Sequence, residues 1–435
     1  MVQKKNIQLA FYGDDFTGST DALEFICRAG AKAILFIEPP TGEELERFPG
    51  LDAYGIAGKT RSLSPGEMEQ VLVPAFLHMK ASGAAHLHYK VCSTFDSSSS
   101  VGSIGKAIDC GAAVFNNKTI PVLGGTPALG RYCVFGNLFA RLGTGKQGKV
   151  YRIDRHPSMS KHPVTPADES DLRLHLGKQT SRKIGLIDIK QQEEPIEEWT
   201  GSLQNDEEIA LLDVLHETQL AKIGAWLEAQ RKIAGELFSI GSSSLEMALG
   251  KYWNSQQLFQ PTTNWKSLAK ANPLLVVSGS CSPVTTSQIE NAKANGFEEV
   301  ELDATRISRE KVIEEKVMDQ IIGSLQGHRH LIVHTGLKQP ENLSSEKLGT
   351  ALGTIAKQAV KRTGIKRVVI AGGDTSSYAA RAMQIDAVEM IAPLVPGAPL
   401  CRAYSKDPSI EGLEMSFKGG QVGGENYFTV LMNGG

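Results

Sequence analysis

Residues 13 to 19 read GDDFTGS and follow the apolar run IQLAFY, so two adjacent carboxylates lie where a strand passes into a helix. Ligands of open α/β sheets usually bind at such turns. Asp14 and Asp15 are neighbours, and in an extended backbone only one of them can point into a crevice. Helix capping explains one carboxylate but explains the second poorly. The turn therefore indicates a ligand site in which one aspartate contacts a bound hydroxyl group.

A second polar stretch, KVCSTFDSSSSVGSIG, spans residues 90 to 105. Lys90 closes a strand, Asp96 lies in the middle of a hydroxyl-rich loop, and a helix begins after it. Serine-rich loops are often only solvated turns. One cation and one carboxylate among many hydroxyl groups instead favour binding of a polyhydroxylated anion.

Basic side chains are concentrated in residues 150 to 172, on a loop that follows a strand. Such groups can hold a carboxylate. The two histidines of the loop lack the spacing of helical zinc ligands, which disfavours a zinc site. His86 and His88 alternate on a strand, and we expect them to be packed or surface residues. The basic side chains of the loop are Arg152, Arg155, His156, Lys161 and His162.

Three glycine-rich turns occur in the second half of the chain, in VVSGSCSPVT (276 to 285), VVIAGGDTSSYAARAM (368 to 383) and FKGGQVGGENYF (417 to 428). In the first two, a buried strand ends in a glycine turn that opens a helix. Backbone N–H groups at a helix start bind phosphate, helped by the helix dipole. Each turn alone has a steric explanation, but three in one domain indicate a nucleotide site.

Composition excludes several classes of protein. The chain has 435 residues and a formal net charge of −2, so no overall positive field indicates nucleic acid as a partner. The longest apolar runs are far shorter than the ~20 residues of a membrane helix. The N-terminus lacks the pattern of a signal peptide, and no CxxC pair indicates a zinc ribbon or a disulfide framework. We expect a cytoplasmic protein with reduced cysteines.

Apolar runs alternate with helical patterns in both halves, which predicts two α/β domains, each with a parallel or mixed sheet and flanking helices. The polar stretch at 253 to 273 lacks a clear period and separates them. We predict a substrate-binding domain at 1–255 and a nucleotide-binding domain at 270–435. In the second domain, Ser282 and Pro283 mark a helix start, and Gly364 marks a helix end.

Six motifs in chain order resemble those of the four-carbon acid sugar kinases, a family first defined as a domain of unknown function. They are GDDFTGSTDA, KVCSTFDSSSSVGSIG, HPVTP, SGSCSPVT, AGGDTSSYA and KGGQVGG. They run from residue 13 to residue 424 and so cover nearly the whole chain. The family includes 3-oxo-tetronate, threonate and erythronate kinases.

The resemblance implies that ATP phosphorylates a terminal hydroxyl group of the acid sugar in a cleft between the two domains. Phosphoryl transfer depends on positioning and charge neutralisation. Asp15 is the first candidate to orient or deprotonate the attacking hydroxyl, with Asp14 and Asp96 behind it. Magnesium is expected from the chemistry, and its ligands stay unassigned. The acid sugar and ATP are the expected partners, and a homodimer is left open.

The implied contacts divide between the domains. Arg61 and Lys90 would pair with the substrate carboxylate. The other implied substrate-binding residues are Thr17, Gly18, Ser93, Thr94, Arg155 and His162. The implied ATP-binding residues are Ser278, Ser280, Gly372, Gly373, Asp374, Thr375, Lys418, Gly419 and Gly423.

Two other functions stay open from sequence. A ribokinase-type kinase would also use a Gly-Gly-Asp turn near its C-terminus, but its substrate and nucleotide share one main domain. A non-catalytic binding or effector protein could keep the fold, although Asp15, Lys90, Asp96 and the glycine turns argue for an active site. Turnover of ATP with acid sugars separates these alternatives.

Overall fold

The structure is a computed structural model of the 435-residue chain that describes residues 7–143, 148–162, 164–310, 314–336 and 344–434. The side chains of residues 308–310 and 374 lie outside the description. Across the helices that these ranges contain, none combines the length and the apolar character needed to cross a bilayer.

The chain divides into two compact units. The first unit contains Met1–Asp14, Phe25–Ala33 and Pro39–Thr263, and the second contains Asp15–Glu24, Ile34–Glu38 and Asn264–Gly435. The chain passes from the first unit to the second between Asp14 and Asp15. Two short N-terminal segments therefore belong with the C-terminal part of the chain, which a reading of sequence order alone does not indicate.

Eleven strands and eight helices precede residue 264 in the described part of the chain. The strands are β1 (Leu9–Gly13), β2 (Ala33–Phe36), β3 (Ala53–Ala57), β4 (His86–Lys90), β5 (Ile120–Leu123), β6 (Arg131–Val134), β7 (Asn137–Arg141), β8 (Val150–Arg152), β9 (Ile184–Ile187), β10 (Ile209–Leu212) and β11 (Leu237–Gly241). The helices are α1 (Phe16–Arg28), α2 (Gly42–Glu46), α3 (Pro65–Ala81), α4 (Ile104–Val114), α5 (Leu172–Gly177), α6 (Ile196–Trp199), α7 (Leu220–Ala234) and α8 (Ser244–Ser255).

The first unit contains a parallel sheet with strand order β3-β1-β4-β11-β5-β10-β9. Its central strands are buried along their whole length, as in β1 and β4. Parallel sheets covered by helices on both faces have this character. The carboxyl ends of these strands carry the polar turns at Asp14, Arg61 and Lys90. A separate antiparallel sheet, β6-β7-β8, follows β5 in the chain.

Seven strands and six α-helices follow residue 264 within the residues that the structure describes. The strands are β12 (Leu274–Ser278), β13 (Glu298–Glu301), β14 (Leu331–His334), β15 (Arg367–Ala371), β16 (Ala387–Val395), β17 (Ala398–Tyr404) and β18 (Glu414–Lys418). The helices are α9 (Pro283–Ala294), α10 (Ala304–Glu310), α11 (Glu315–Gln326), α12 (Ser345–Thr363), α13 (Gly373–Ala382) and α14 (Tyr427–Asn433).

The second unit contains a mixed sheet. Its strands β13-β14-β12-β15-β18 are parallel, and β17, β16 and the end of β2 continue the sheet in antiparallel pairs. The predicted two-domain α/β fold is thereby confirmed.

The helix boundaries predicted in the second unit are also confirmed. The Ser282 hydroxyl accepts a hydrogen bond from the backbone N–H of Thr285, and Pro283 occupies the first helical position of α9. Gly364 ends α12 in the left-handed conformation, with φ of 70°. A side chain is disfavoured in that conformation, so glycine is the expected residue.

Candidate active site

The three glycine-rich turns lie side by side at the carboxyl edge of the second unit's sheet. They follow the adjacent strands β12, β15 and β18. The Gly279 N–H donates to Ala371 O at 3.1 Å, and the Gly372 N–H donates to Lys418 O at 2.9 Å. The strand order therefore brings together three motifs that are up to 140 positions apart in the sequence.

Two of these turns are too close together for larger residues. A Cβ atom on Gly279 would lie 2.4 Å from Thr375 Oγ1, and one on Gly372 would lie 2.8 Å from the same atom. Gly372 also has φ of 122°, which disfavours any side chain. Its Cβ position is 3.5 Å from Ser280 N. Ser280, Gly372 and Thr375 thus meet at the first turn of α13, where backbone N–H groups favour an anion.

The other residues predicted at this edge differ in their surroundings. Ser278 is buried, and its hydroxyl accepts from the Ser280 N–H at 3.3 Å, so it supports the turn. Gly373 begins α13. The side chain of Asp374 lies outside the described residues. The roles predicted for these residues in ATP binding stay predictions.

Lys418 places a cation beneath the same edge. It is 0% exposed and donates from Nζ to Thr285 Oγ1 at 2.9 Å, with the Tyr427 ring centroid 6.0 Å away. Among the side chains that the structure describes, no carboxylate forms an ion pair with it. Burial lowers the pKa of the Lys418 ammonium to about 7. A phosphate group would supply the missing negative charge.

Asp15 lies next to these turns, within the second unit. Its Oδ1 accepts from the Gly18 N–H at 2.7 Å and its Oδ2 accepts from the Thr17 hydroxyl at 2.9 Å, so it caps α1. A Cβ atom on Gly373 would lie 3.6 Å from Asp15 Oδ2 and 3.7 Å from Thr17 Oγ1. The same carboxylate therefore caps a helix and stands beside the glycine turn that opens α13.

Asp14 has a different partner, in the first unit. Arg61 Nη2 donates to Asp14 Oδ1 at 2.7 Å, and Arg61 Nε donates to Asp14 Oδ2 at 3.1 Å. The Cys92 N–H also approaches Asp14 Oδ2, at 3.4 Å. The carboxylate is buried while the Arg61 side chain is 27% exposed. Because Arg61 occupies both oxygens of Asp14 in a bidentate ion pair, Asp14 is a weaker candidate for the base than Asp15. The predicted role of Arg61 in binding substrate stays a prediction.

Strand β4 presents three buried polar residues on one face. His86 pairs with Glu228 at 2.9 Å, and His88 contacts both Glu246 at 2.5 Å and the Gly241 carbonyl at 3.1 Å. The histidines are packed residues paired with carboxylates, which is one of the two environments expected from the sequence. Lys90 follows them on the same face, 2% exposed, and donates to Val91 O at 3.0 Å.

The Ser-rich loop and the HPVTP segment share a pocket in the first unit. It is open to solvent, has room for little more than one water molecule, and is lined in part by Thr94, Asp96, Thr165, Glu169 and His175. His175 Nε2 lies 2.9 Å from Ser97 Oγ, and burial lowers the pKa of the imidazole, which keeps it neutral at neutral pH. Hydroxyl groups and two carboxylates therefore meet at this pocket.

The remaining predicted residues lie around this pocket or away from it. His162 accepts from the Thr165 N–H at 3.1 Å and so orders the segment that lines one wall. Ser93 precedes Thr94 and is absent from the lining. The Arg155 side chain is 75% exposed, with Asp154 3.9 Å away. The backbone N–H of Gly18 donates a hydrogen bond to Asp15 Oδ1.

Sequence reasoning missed a further strand-to-helix turn at Ser242. It follows the buried strand β11, where the Gly241 carbonyl accepts from the Val91 N–H at 2.8 Å. The Ser242 hydroxyl is hydrogen bonded to that of Thr126, and both are buried. The stretch LFSIGSSS has the same order of strand, glycine and hydroxyl residues as the other turns, so this pattern was the available signal.

Two family models match successive parts of the chain, and the first of them spans both N-terminal segments that belong to the second unit. Residues 9–249 match a family model described as a sugar-binding N-terminal domain, and residues 275–428 match one described as a nucleotide-binding C-terminal domain. A solved structure from Salmonella typhimurium has a TM-score of 0.76 with 22% identity, covering 98% of each chain. That structure shows similarity of fold alone.

Two curated relatives are kinases. A 3-oxo-isoapionate kinase of Paraburkholderia graminis is 41% identical, over 98% of this chain and 94% of that protein. A 3-oxo-tetronate kinase of Methylobacterium radiotolerans is 26% identical, over 97% of this chain and 98% of that protein. The matched domains and these relatives define a kinase with separate sugar-binding and nucleotide-binding domains. The chain belongs to the four-carbon acid sugar kinase family, as the six motifs predict.

If Lys418 contacts a phosphate of ATP, we expect Lys418→Met to weaken ATP binding about tenfold or more, because a charge-assisted hydrogen bond would be lost. The same change should leave the thermal midpoint unchanged or raise it, since replacing an unpaired buried charge by an apolar side chain removes a desolvation cost. Calorimetric titration with ATP and a thermal scan of both proteins measure the two effects. A large loss of stability with unchanged ATP affinity would assign Lys418 a structural role.

ATP binding should also take up a proton at Lys418. The pKa of the free protein is lowered to about 7, and an adjacent phosphate would raise it. ATP affinity should therefore fall as pH rises above about 7, where binding must first protonate the amine. Titrations at about pH 8 in two buffers of different ionisation enthalpy measure the uptake. Wild type should show it and Lys418→Met should not.

Proposed function

We propose that the chain transfers the γ-phosphate of ATP to the terminal hydroxyl group of a 3-oxo sugar acid. The observation that carries the proposal is the meeting of Asp15, Lys418 and the three glycine turns within the second unit. This is a set of backbone donors, one cation and one carboxylate, which phosphoryl transfer requires. The 3-oxo group is common to the names of the relatives.

The proposed substrate is that of the relative with the higher sequence identity to this chain. The 3-oxo-isoapionate kinase is 41% identical, whereas the 3-oxo-tetronate kinases are 24–26% identical. We propose 3-oxo-isoapionate or a close analogue as the preferred substrate, with 3-oxo-tetronate, threonate and erythronate as poorer ones. The chain fragment 1–255 would bind the acid and 270–435 would bind the nucleotide.

In the proposed mechanism Asp15 accepts the proton of the attacking hydroxyl group. Both its oxygens already hold α1 hydrogen bonds, which restrict the rotation of the carboxylate. A fixed carboxylate spends little entropy in reaching the reactive geometry. Lys418 and the N–H groups of the glycine turns would hold the phosphates, and Lys90 and Arg61 would contact the carboxylate of the acid.

Magnesium is part of this proposal, and the residues present fit it. Asp15 and Thr17 offer a carboxylate and a hydroxyl oxygen beside Gly373, so Asp15 would hold the ion if the base of the reaction lies elsewhere. Mg²⁺ commonly binds one or two carboxylates together with substrate phosphates. Across the described residues no group of three His, Cys, Asp or Glu could hold a metal, which suits an ion shared with the nucleotide. When bound, the ion neutralises charge on the transferred phosphoryl group.

A cytoplasmic location completes the proposal, since the substrate ATP is available there. It is supported by the six cysteines, which are all free. Family membership argues against the ribokinase-type alternative. A non-catalytic protein would bind ATP tightly and turn over none of the acids.

Asp15→Asn should lower the turnover rate by ~10²–10⁴-fold, because the amide cannot accept the proton. The variant keeps an oxygen for the Gly18 N–H, so α1 should remain capped and ATP affinity should barely change. Rates and ATP titrations, with and without Mg²⁺, measure this. Loss of the Mg²⁺ dependence of ATP affinity would instead make Asp15 a metal ligand. A rate within a few-fold of wild type would shift the base to Asp14 or Asp96.

The acid should be preferred strongly over its neutral counterpart. Erythrulose has a hydroxymethyl group where 3-oxo-tetronate has a carboxylate, and is otherwise the same length. Its binding would leave cations such as Lys90 without the charge they are proposed to contact, which is costly in a buried site. Coupled measurement of ADP release with both compounds, and with 3-oxo-isoapionate, tests the function. Equal rates for acid and neutral compounds would contradict the carboxylate contact, and no turnover of any acid would contradict the kinase.

A further inference from the structure

One face of helix α9 holds the last glycine-rich loop, residues 419–424, through side-chain hydrogen bonds. Ser282, Thr285 and Gln288 are spaced three residues apart and so lie close to one another on the helix surface. The Ser282 and Thr285 hydroxyl groups both donate to the Gly420 carbonyl, the latter at 2.9 Å. Gln288 contacts the other end of the loop.

Gln288 makes an unusual contact with three consecutive carbonyl oxygens. Its side-chain nitrogen lies 3.0 Å from Val422 O, 3.2 Å from Gly423 O and 3.0 Å from Gly424 O. The residue is 0% exposed. The amide orientation follows from these partners, since the opposite orientation would place its oxygen against three others. Its own Oε1 has no partner among the described residues.

These contacts determine where the negative ends of the loop's peptide groups lie. Carbonyl oxygens carry partial negative charge and repel phosphate, whereas N–H groups attract it. With the carbonyl groups of Gly420, Val422, Gly423 and Gly424 held against α9, that charge is kept at the helix. The backbone at Gly423 is also constrained, because φ is 88° and a Cβ atom there would lie 2.6 Å from the Tyr427 ring.

The cation of the site is joined to the same face. Lys418 Nζ donates to the Thr285 hydroxyl, which itself donates to the Gly420 carbonyl. Movement of the loop away from α9 would therefore disturb the hydroxyl that locates the ammonium group. The loop position and the cation position are linked through one residue.

We propose that Gln288 is a positioning residue for the nucleotide. It holds the carbonyl groups of residues 422–424 against α9 and so keeps the loop in the form that accepts ATP phosphates. This inference rests on the proposed function and names a residue that acts through the loop, without touching substrate.

Gln288→Leu tests the proposal because it removes the donor and keeps much of the apolar volume. We expect the dissociation constant of ATP to rise about tenfold or more, with the KM of the acid sugar within about twofold of wild type. Hydrogen exchange of the 419–424 amides in the ligand-free variant should be faster than in wild type.

Gln192→Leu is the matched control. Gln192 is also a buried glutamine whose amide donates to two backbone carbonyls, Ile187 O at 3.1 Å and Asp213 O at 2.8 Å, but it lies in the first unit. It should lose stability without any change in ATP affinity. Equal behaviour of the two variants, with ATP affinity unchanged in both, would overturn the proposal.

Two further measurements keep the outcomes separate. If wild type itself fails to bind ATP, the proposed function fails, whereas unchanged binding by Gln288→Leu rejects only the role of Gln288. Should Gln288→Leu fail to fold, wild type with ATP decides the matter by hydrogen exchange. Protection of the 419–424 amides by ATP supports the proposal, and its absence overturns it.

Discussion

A buried cation without a carboxylate partner among the described side chains is the feature on which the second unit depends. Lys418 ends a central strand of the sheet, and its only described polar contact is a neutral hydroxyl group. Burying such a charge is unfavourable, and the lowered pKa of Lys418 is the expression of that cost. The positive ends of α9 and α13 add to the same potential. Such a field would favour the proposed binding of a polyphosphate.

The glycine turns around this cation serve a related purpose. Backbone N–H groups reach a phosphate only when no side chain stands between, and at Gly279 and Gly372 there is no room for one. The same closeness places Thr375 and the Ser280 backbone beside the two glycines. The side chains of α9 hydrogen bond to the carbonyl groups of the loop 419–424 and hold them against the helix. Each of these features removes negative charge or bulk from the space next to Lys418.

The two adjacent aspartates show how one turn serves two purposes. Asp14 is the last residue of one segment of the first unit, and Arg61 holds it with two hydrogen bonds. Asp15 is the first residue of the second unit, where it caps α1 beside Gly373. Capping and ligand contact are therefore compatible for Asp15. The second carboxylate, which capping does not explain, has an ion pair as its structural role.

Sequence reasoning reached those parts of the site that depend on local pattern. Apolar runs followed by glycine and hydroxyl residues predicted the strand-to-helix turns, because burial and φ requirements are local. The sequence did not predict contacts between residues far apart in the chain. Asp14 and Arg61 are separated by 47 residues, Ser97 and His175 by 78, and Gln288 and Val422 by 134. Nothing in the neighbouring residues distinguishes Gln288 from any polar residue of a helix. The contacts of Gln288 form only when the strand order places the loop 419–424 against α9. The role of a buried amide depends on the carbonyl groups around it, and these come from a distant part of the sequence.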